Sequence, residues 1–464
     1  MDLIYNIKDK PKFTELVAFS FQQLLAIMAA TIAVPAVVGN GMTASAALFG
    51  AGVGTFVYQL FTKFRSPVFL GSSFAFIGAM LAAFAGASSM ALGYLGLIIG
   101  AFFAGLVYVV LAIIVKVSGV AWINKLMPAV VIGPTVAIIG LSLAGNAVGD
   151  MVKGDVAIDG VATASPNIAL ICGLVTLFVV IICSVFGSKK ARLVPFIIGI
   201  MAGYAVALVF TCIGIATNNP ALQIIDFAPF KALVEGGVSV KTFFTFPEFT
   251  FLTALGGVGE LNAAYIGAVA AAYVPVAFVV FAEHIADHKN LSTIINVDLL
   301  TDPGLARTLL GDGVGSMFGA FFGGCPNTTY GESVGCVAIT RNASVVSISG
   351  AAVMSILVAF LSPLVAFLDS IPACVMGGVC LTLYGFIAVS GLKMVQEVDL
   401  NDNRNLFVVS AILIAGIGGL TVTFGQVTIT SVACSLILGI LVNTVVHSKK
   451  VPEGEEKEPQ QVIK

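Results

Sequence analysis

Charge is what this 464-residue chain has least of: Asp, Glu, Lys and Arg together make up 10%. A soluble globular protein carries about 25% charged residues. No surface fit for water can be assembled from this sequence, and a water-soluble enzyme is excluded. Basic residues number 22 against 24 acidic ones, which leaves no basic excess for nucleic acid. Histidine is nearly absent, with three residues, and the eight cysteines form no CxxC pair. The cysteines fall in apolar runs or at their edges and read as small buried residues rather than disulfides or metal ligands. Also missing are a phosphate-cradling loop and a Ser or Cys nucleophile with a base beside it. No enzymatic activity is expected. The N-terminus lacks the short apolar core and A-x-A-like site of a cleavable signal.

Apolar residues fill the chain instead: 58% of it is hydrophobic, and the mean hydropathy is +1.06. A spanning helix takes roughly 20 apolar residues. Fourteen runs are read near 15–38, 44–62, 68–85, 91–116, 128–148, 167–187, 194–216, 262–286, 304–324, 326–341, 344–368, 372–392, 405–421 and 425–446. Those at 68–85 and 326–341 are too short or too broken for ordinary spans. Lys and Arg collect on cytoplasmic loops. With the N-terminus inside, only Lys153, Lys231 and Lys241 of the 22 fall on outer loops. The alternation argues for fourteen crossings with both ends cytoplasmic. The tail Val451–Lys464, rich in Glu, Lys, Pro and Gln, is expected to be disordered.

Two pairs of segments echo each other. Met127-Pro-Ala-Val-Val-Ile-Gly-Pro-Thr-Val136 matches Ile371-Pro-Ala-Cys-Val-Met-Gly-Gly-Val379, and Gly71-Ser-Ser-Phe-Ala-Phe76 resembles Asn327-Thr-Thr-Tyr-Gly-Glu332. Both pairs keep their order, at nearly one offset. Seven crossings per repeat is an odd number, so the second copy enters from the opposite face. That is the inverted-repeat plan of secondary transporters, whose solute binds near the midplane at discontinuous helices.

The two broken runs, 66–76 and 323–335, each hold a Pro, then an extended stretch, then hydroxyl residues suited to capping a half-helix. Two short extended segments are expected to face each other, with the N–H groups of both half-helices aimed into one pocket. A planar solute with alternating N–H and C=O groups suits such a pocket, stacked on aromatic faces. Phe74 and Tyr330 occupy matched places in the two breaks.

Ionisable residues are concentrated in Phe281-Ala-Glu-His-Ile-Ala-Asp-His288. Glu283 and Asp287 share one helix face, and His284 and His288 form a second i, i+4 pair. A carboxylate at membrane depth marks a substrate or ion path by default. For Asp287 and His288, nearer the end of the run, a solvated helix terminus is an equal reading. The order Glu-His-x-x-Asp-His is not the zinc-binding His-Glu-x-x-His, and no metal is expected. Glu332, just inside the second half-helix, supplies another acceptor.

These motifs carry a resemblance. Gly71–Phe76, Ala282-Glu-His284, Asp302-Pro-Gly304, Pro326-Asn-Thr-Thr-Tyr-Gly-Glu332, Gly335-x4-Thr340-Arg341 and Pro372-x3-Met376-Gly-Gly378 resemble the nucleobase/ascorbate transporter family. Within it they are similar to the bacterial uracil permeases. The resemblance implies an all-α polytopic fold of 14 transmembrane segments in two inverted seven-span repeats, with spans 3 and 10 discontinuous. A core domain (13–117 and 262–369) would move against a gate domain (118–217 and 370–447), with an outer loop at 218–261 and the tail at 448–464. It implies proton-coupled uptake of a nucleobase across the bacterial inner membrane by a homodimer, without a cofactor; Na⁺ as the coupling ion stays open. The family's substrate carboxylates fall on Glu283 and Glu332, its backbone-amide contacts on Phe74 and Gly331, and its pocket-lining residues on Ala30, Tyr330 and Tyr384. Glu at 332, where purine carriers of the family have Gln, implies uracil. Glu283, Asp287, His288 and His284 are candidates for proton coupling. Three positions depart from the family: Ser333 stands for its Asn, Gln23 for its first-span His, and Asp287 for the His linked to proton coupling. A xanthine or other oxo-heterocycle permease, and an anion transporter of the same architecture, remain the alternatives.

Overall fold

A backbone surrounded by hydrocarbon must bond to itself, and each of the fourteen apolar runs contains a helix. The computed structural model describes residues 3–447, apart from 120, 121, 123–127, 159, 160, 189, 190, 425 and 426. The tail, Met127 and the basic residues Lys125, Lys189 and Lys190 lie outside the described residues. Among the described residues, eight helices are long and apolar enough to cross a membrane. They are Phe13–Val38, Ala44–Phe61, Met90–Ser118, Ala129–Asp150, Pro166–Phe186, Pro195–Ala216, Ala263–Ile295 and Ala373–Val395. Leu305–Gly323, at 19 residues, is longer than only Ala44–Phe61 among these, and it carries Arg307 and Asp312. Val345–Val358, Asn403–Ile417 and Ser431–His447 are shorter.

Small residues decide the packing. An added Cβ on Gly50 would lie 2.5 Å from the carbonyl of Gly319, and one on Gly54 2.8 Å from that of Gly315. Helices Ala44–Phe61 and Leu305–Gly323 therefore touch backbone to backbone. In lipid no hydrophobic drive pulls helices together, and close van der Waals approach must supply the attraction. Met90–Ser118, Ala263–Ile295, Phe13–Val38 and Val345–Val358 pack around this pair. A second group forms about Ala373–Val395 and Ala129–Ser142, where Gly391 would meet the carbonyl of Gly133. Pro128 and Pro372, matched in the sequence repeat, are the N-caps of those two helices. Pro166–Phe186, Pro195–Ala216, Asn403–Ile417 and Ser431–His447 complete the group.

The two broken runs open with strands Leu70–Ser72 and Asn327–Thr329. They pair antiparallel, Leu70 with Thr329, Gly71 with Thr328 and Ser72 with Asn327. Two strands of three residues leave many backbone groups over, and side chains satisfy them. Gln59 Nε2 donates to the carbonyls of Ser66 and Val68, at 2.9 and 3.1 Å. Thr55 Oγ1 accepts from the Leu70 amide and donates to the Leu70 carbonyl. Asn327 Nδ2 donates to the carbonyl of Gly50 at 3.1 Å.

Several boundaries differ from the sequence reading. The eighth run does not end at the Glu-His-Asp-His cluster, since its helix continues to Ile295. Leu291 and Ile295 are buried there against Val68, Val334 and Val337. A solvated terminus at Asp287 and His288 is thereby ruled out: His288 is 0% exposed. The run 344–368 breaks after Val358, with Pro363 opening the next helix, Ser362–Asp369. The segment 218–261 is not a plain loop but holds three short helices, Ala228–Val234, Val240–Phe243 and Thr250–Ala254.

Candidate functional site

Past each strand the chain starts a half-helix. Ser73 is the N-cap of the turn Phe74–Phe76, which leads into Ile77–Ala85, and Tyr330 is the N-cap of Gly331–Thr340. Neither side chain caps the helix it precedes, contrary to the hydroxyl capping expected. Tyr330 is drawn elsewhere, its ring lying over Gly71 and its hydroxyl donating to the Ser72 carbonyl at 2.6 Å. A side chain on residue 71 would occupy the place of that ring. First-turn amides are left without intrahelical partners, and Phe74, Gly331 and Glu332 of those turns line a cavity.

The cavity measures about 400 Å³ and is built by both helix groups. Ser73, Phe74, Thr328, Tyr330, Gly331 and Glu332 come from the two breaks, and Glu283, Ala286 and Asp287 from one face of Ala263–Ile295. From the second group, Phe386, Ile387, Ser390 and Met394 present a helical stripe, joined by Val136, Pro195 and Phe196. Ser184 and the exposed Arg192 stand at the mouth. Of the residues singled out in the sequence, Phe74, Glu283, Asp287, Tyr330, Gly331 and Glu332 meet here. Ala30 and Tyr384 are buried outside the lining; Tyr384 packs edge-on against Phe74, ring centroids 5.5 Å apart.

Helix Ala263–Ile295 is two-sided at this level. Glu283 and Asp287 turn to the cavity, and Asp287 Oδ2 accepts from Thr329 Oγ1 at 2.7 Å. His284 and His288 turn away from it and stack on each other, ring centroids 4.0 Å apart. His284 Nδ1 is 2.6 Å from Asp312 Oδ2, and its Nε2 is 3.0 Å from Thr308 Oγ1. His288 Nε2 is 2.7 Å from the Tyr58 hydroxyl, which also bonds Ser66 at 2.7 Å. Both histidines and Asp312 are almost wholly buried. The acids thus divide into three at the cavity and one, Asp312, behind the strands, where Thr328 Oγ1 donates to it at 3.3 Å.

Two of the departures noted in the sequence meet each other. Gln23 Nε2 donates to Ser333 Oγ, which also accepts from the Phe69 amide at 3.2 Å. A polar contact thereby joins the first helix to the second half-helix.

Sequence reasoning passed over Asp312, Ser73, Thr328 and the stripe 386–394. Asp312 had a signal, as the one acid inside the run 304–324. Ser73 could have been noticed within Gly71–Phe76. Ser390 and Met394 had none, because nothing in the sequence says which face of an apolar helix looks into a cavity.

A model of the Permease family matches residues 14–425. A uracil permease of Bacillus caldolyticus is 38% identical over 457 residues, covering 98% of this chain and 96% of that protein. A uracil permease of Bacillus subtilis (strain 168) is 36% identical, covering 98% of each. The transmembrane domain of a cyanobacterial bicarbonate transporter, BicA, superposes with a TM-score of 0.59 at 15% identity, covering 96% of this chain and all of that one. At that identity the likeness concerns the fold.

Proposed function

The chain belongs to this permease family, the nucleobase/ascorbate transporters, and on that premise we propose that it takes up uracil together with a proton by alternating access. The observation that carries the reading is the convergence of Glu283, Glu332 and two half-helix N-termini on one cavity. Uracil presents two N–H donors and two carbonyl acceptors around a flat ring. Carboxylates at 283 and 332 accept from the N–H groups, and the Phe74 and Gly331 amides donate to the carbonyls. The rings of Phe74 and Tyr330 offer faces and edges to the heterocycle. The name of the two bacilli proteins points to the same solute.

The molecule is read as fourteen crossings in two inverted repeats. The strand pair holds the core half of the site, and helix Ala373–Val395 forms the gate half. Arg192 at the cavity mouth belongs to an inner segment by the charge pattern, so this conformation is open inward. Uptake begins outside, where the proton and uracil load the acids; the core then shifts against the gate, and both leave inside. A proton drives this only if it stabilises one facing state over the other, and a carboxylate that gains and loses charge in a site shared by both domains does so. Asp287, in the cavity and held by Thr329, is the proton carrier in this scheme. The protein works as a homodimer in the bacterial inner membrane with both termini cytoplasmic. Three acids in the cavity, Glu283, Asp287 and Glu332, disfavour an anionic substrate.

Radiolabelled uracil uptake into proteoliposomes under an imposed pH gradient tests the proposal. Accumulation that follows the gradient and collapses with an uncoupler is expected. Stronger competition by xanthine than by uracil would move the assignment to purines. Accumulation driven by Na⁺ without a pH gradient would overturn the proton.

A further inference from the structure

At the end of the molecule opposite the cavity mouth, the segment between Ala228 and Glu260 turns large apolar side chains outward. Val238, Val240 and Phe246 are 74%, 76% and 78% exposed, and Phe243, Phe244 and Leu255 are exposed as well. Their backbone is not loose. The Thr245 amide donates to the Phe360 carbonyl at 3.1 Å, and Ser362 Oγ donates to the Lys241 carbonyl at 3.0 Å. Thr245 Oγ1 and Ser362 Oγ are 2.7 Å apart. A segment fastened in this way could have buried its apolar side chains inward; it leaves them out instead. In water such a patch is a liability.

We propose that residues 234–258 lie in the bilayer at its interface, as an in-plane anchor whose partner is lipid. Continuity favours lipid over a second protein. Phe251 stacks on Phe321 with ring centroids 4.7 Å apart, Phe249 packs on Phe322, and Phe246 on Phe360. The same helices carry on the exposed apolar surface through Phe318 and Leu357, so the segment extends a face that hydrocarbon already covers. Lys231, Glu235, Lys241 and Glu248 sit at or beside it with exposed side chains, the charged fringe of a segment lying in the interface plane. The anchor is tied to the turn at 360–362, which leads into Ser362–Asp369. That helix ends at Asp369, which lines a second cavity of about 340 Å³ with Met42 and Thr43. Lipid thus braces the end of the transporter that holds this second cavity.

The chain has a single tryptophan, which makes the test direct. In full-length protein carrying Trp122→Phe, a Phe246→Trp variant is reconstituted into phosphatidylcholine vesicles brominated on the acyl chains. Its emission should be quenched by the brominated lipid and spared by aqueous iodide. A Val238→Trp variant, at an equally exposed position, should behave the same way. Quenching by iodide without quenching by lipid would overturn the proposal. Protection from both quenchers, together with cross-linking of a Phe246→Cys variant between copies, would overturn it in favour of a protein interface.

Discussion

Replacing Glu332 by Gln isolates charge from shape. The side chain keeps its length and one carbonyl acceptor, stays in the first turn of Gly331–Thr340 and still lines the cavity. A hydrogen bond to a charged group contributes about 1.5–3 kcal/mol and one between neutral groups about 0.5–1.5 kcal/mol. Losing the charge should therefore cost about 1–1.5 kcal/mol of uracil affinity, roughly 5- to 13-fold in Kd. Glu332→Ala removes the acceptor altogether and should cost about 1.5–3 kcal/mol, roughly 10- to 150-fold. Direct binding to detergent-solubilised protein by titration calorimetry reads both values without the complication of turnover. The negative charge also sits at a helix N-terminus, worth about 0.3–1 kcal/mol of stability, so thermal unfolding of each variant separates folding from binding. A Gln variant that binds uracil within twofold of wild type would refute the acceptor role, and equal losses for Gln and Ala would refute the argument that charge and contact are separable.

Three other outcomes follow from the geometry. Gly71→Ala places a methyl where the buried Tyr330 ring lies; the ring must move, so uracil binding should fall together with the thermal midpoint, and a variant that binds normally would show that Tyr330 does not shape the site. Gly54→Ala sets a Cβ 2.8 Å from the Gly315 carbonyl and 2.5 Å from Asn327 Nδ2; overpacking of this kind costs about 1–3 kcal/mol, and a thermal midpoint in detergent equal to wild type would refute the contact. Outside the spans, the protein packed around Asp155, whose side chain still reaches solvent, pushes its carboxyl up to about 6 from its ordinary 3.8, with Asp226 and Asp150 adding to the rise against a bond from the Ala373 amide. The folded chain then holds that proton more tightly than the unfolded one, so its contribution to stability is full below pH 3.8 and fades as the pH climbs to about 6. Thermal midpoints measured across that window should decline less in Asp155→Asn than in wild type; parallel curves would refute it.

The sequence by itself determined the membrane class, the position of the apolar runs and the two breaks, because hydrocarbon admits only long apolar helices and tolerates interruptions only under cover. It also placed Glu283 and Glu332 in one functional argument, since acids are too costly at that depth to be incidental. Helix ends were less legible. The eighth apolar run ends near 286, yet the helix continues because Leu291 and Ile295 find a buried apolar cluster. Capping by Ser73 was misjudged as well: local propensity favours a cap, but the side chain makes none and lines the cavity instead. Only the tertiary structure decided that Gln23 meets Ser333, that Asp312 backs His284, and that Ser390 and Met394 look into the site. Each is a contact between segments distant in the chain, or a choice of helix face. An apolar helix of Val, Ala and Gly carries no periodic mark of which side meets lipid, which meets protein and which meets a solute.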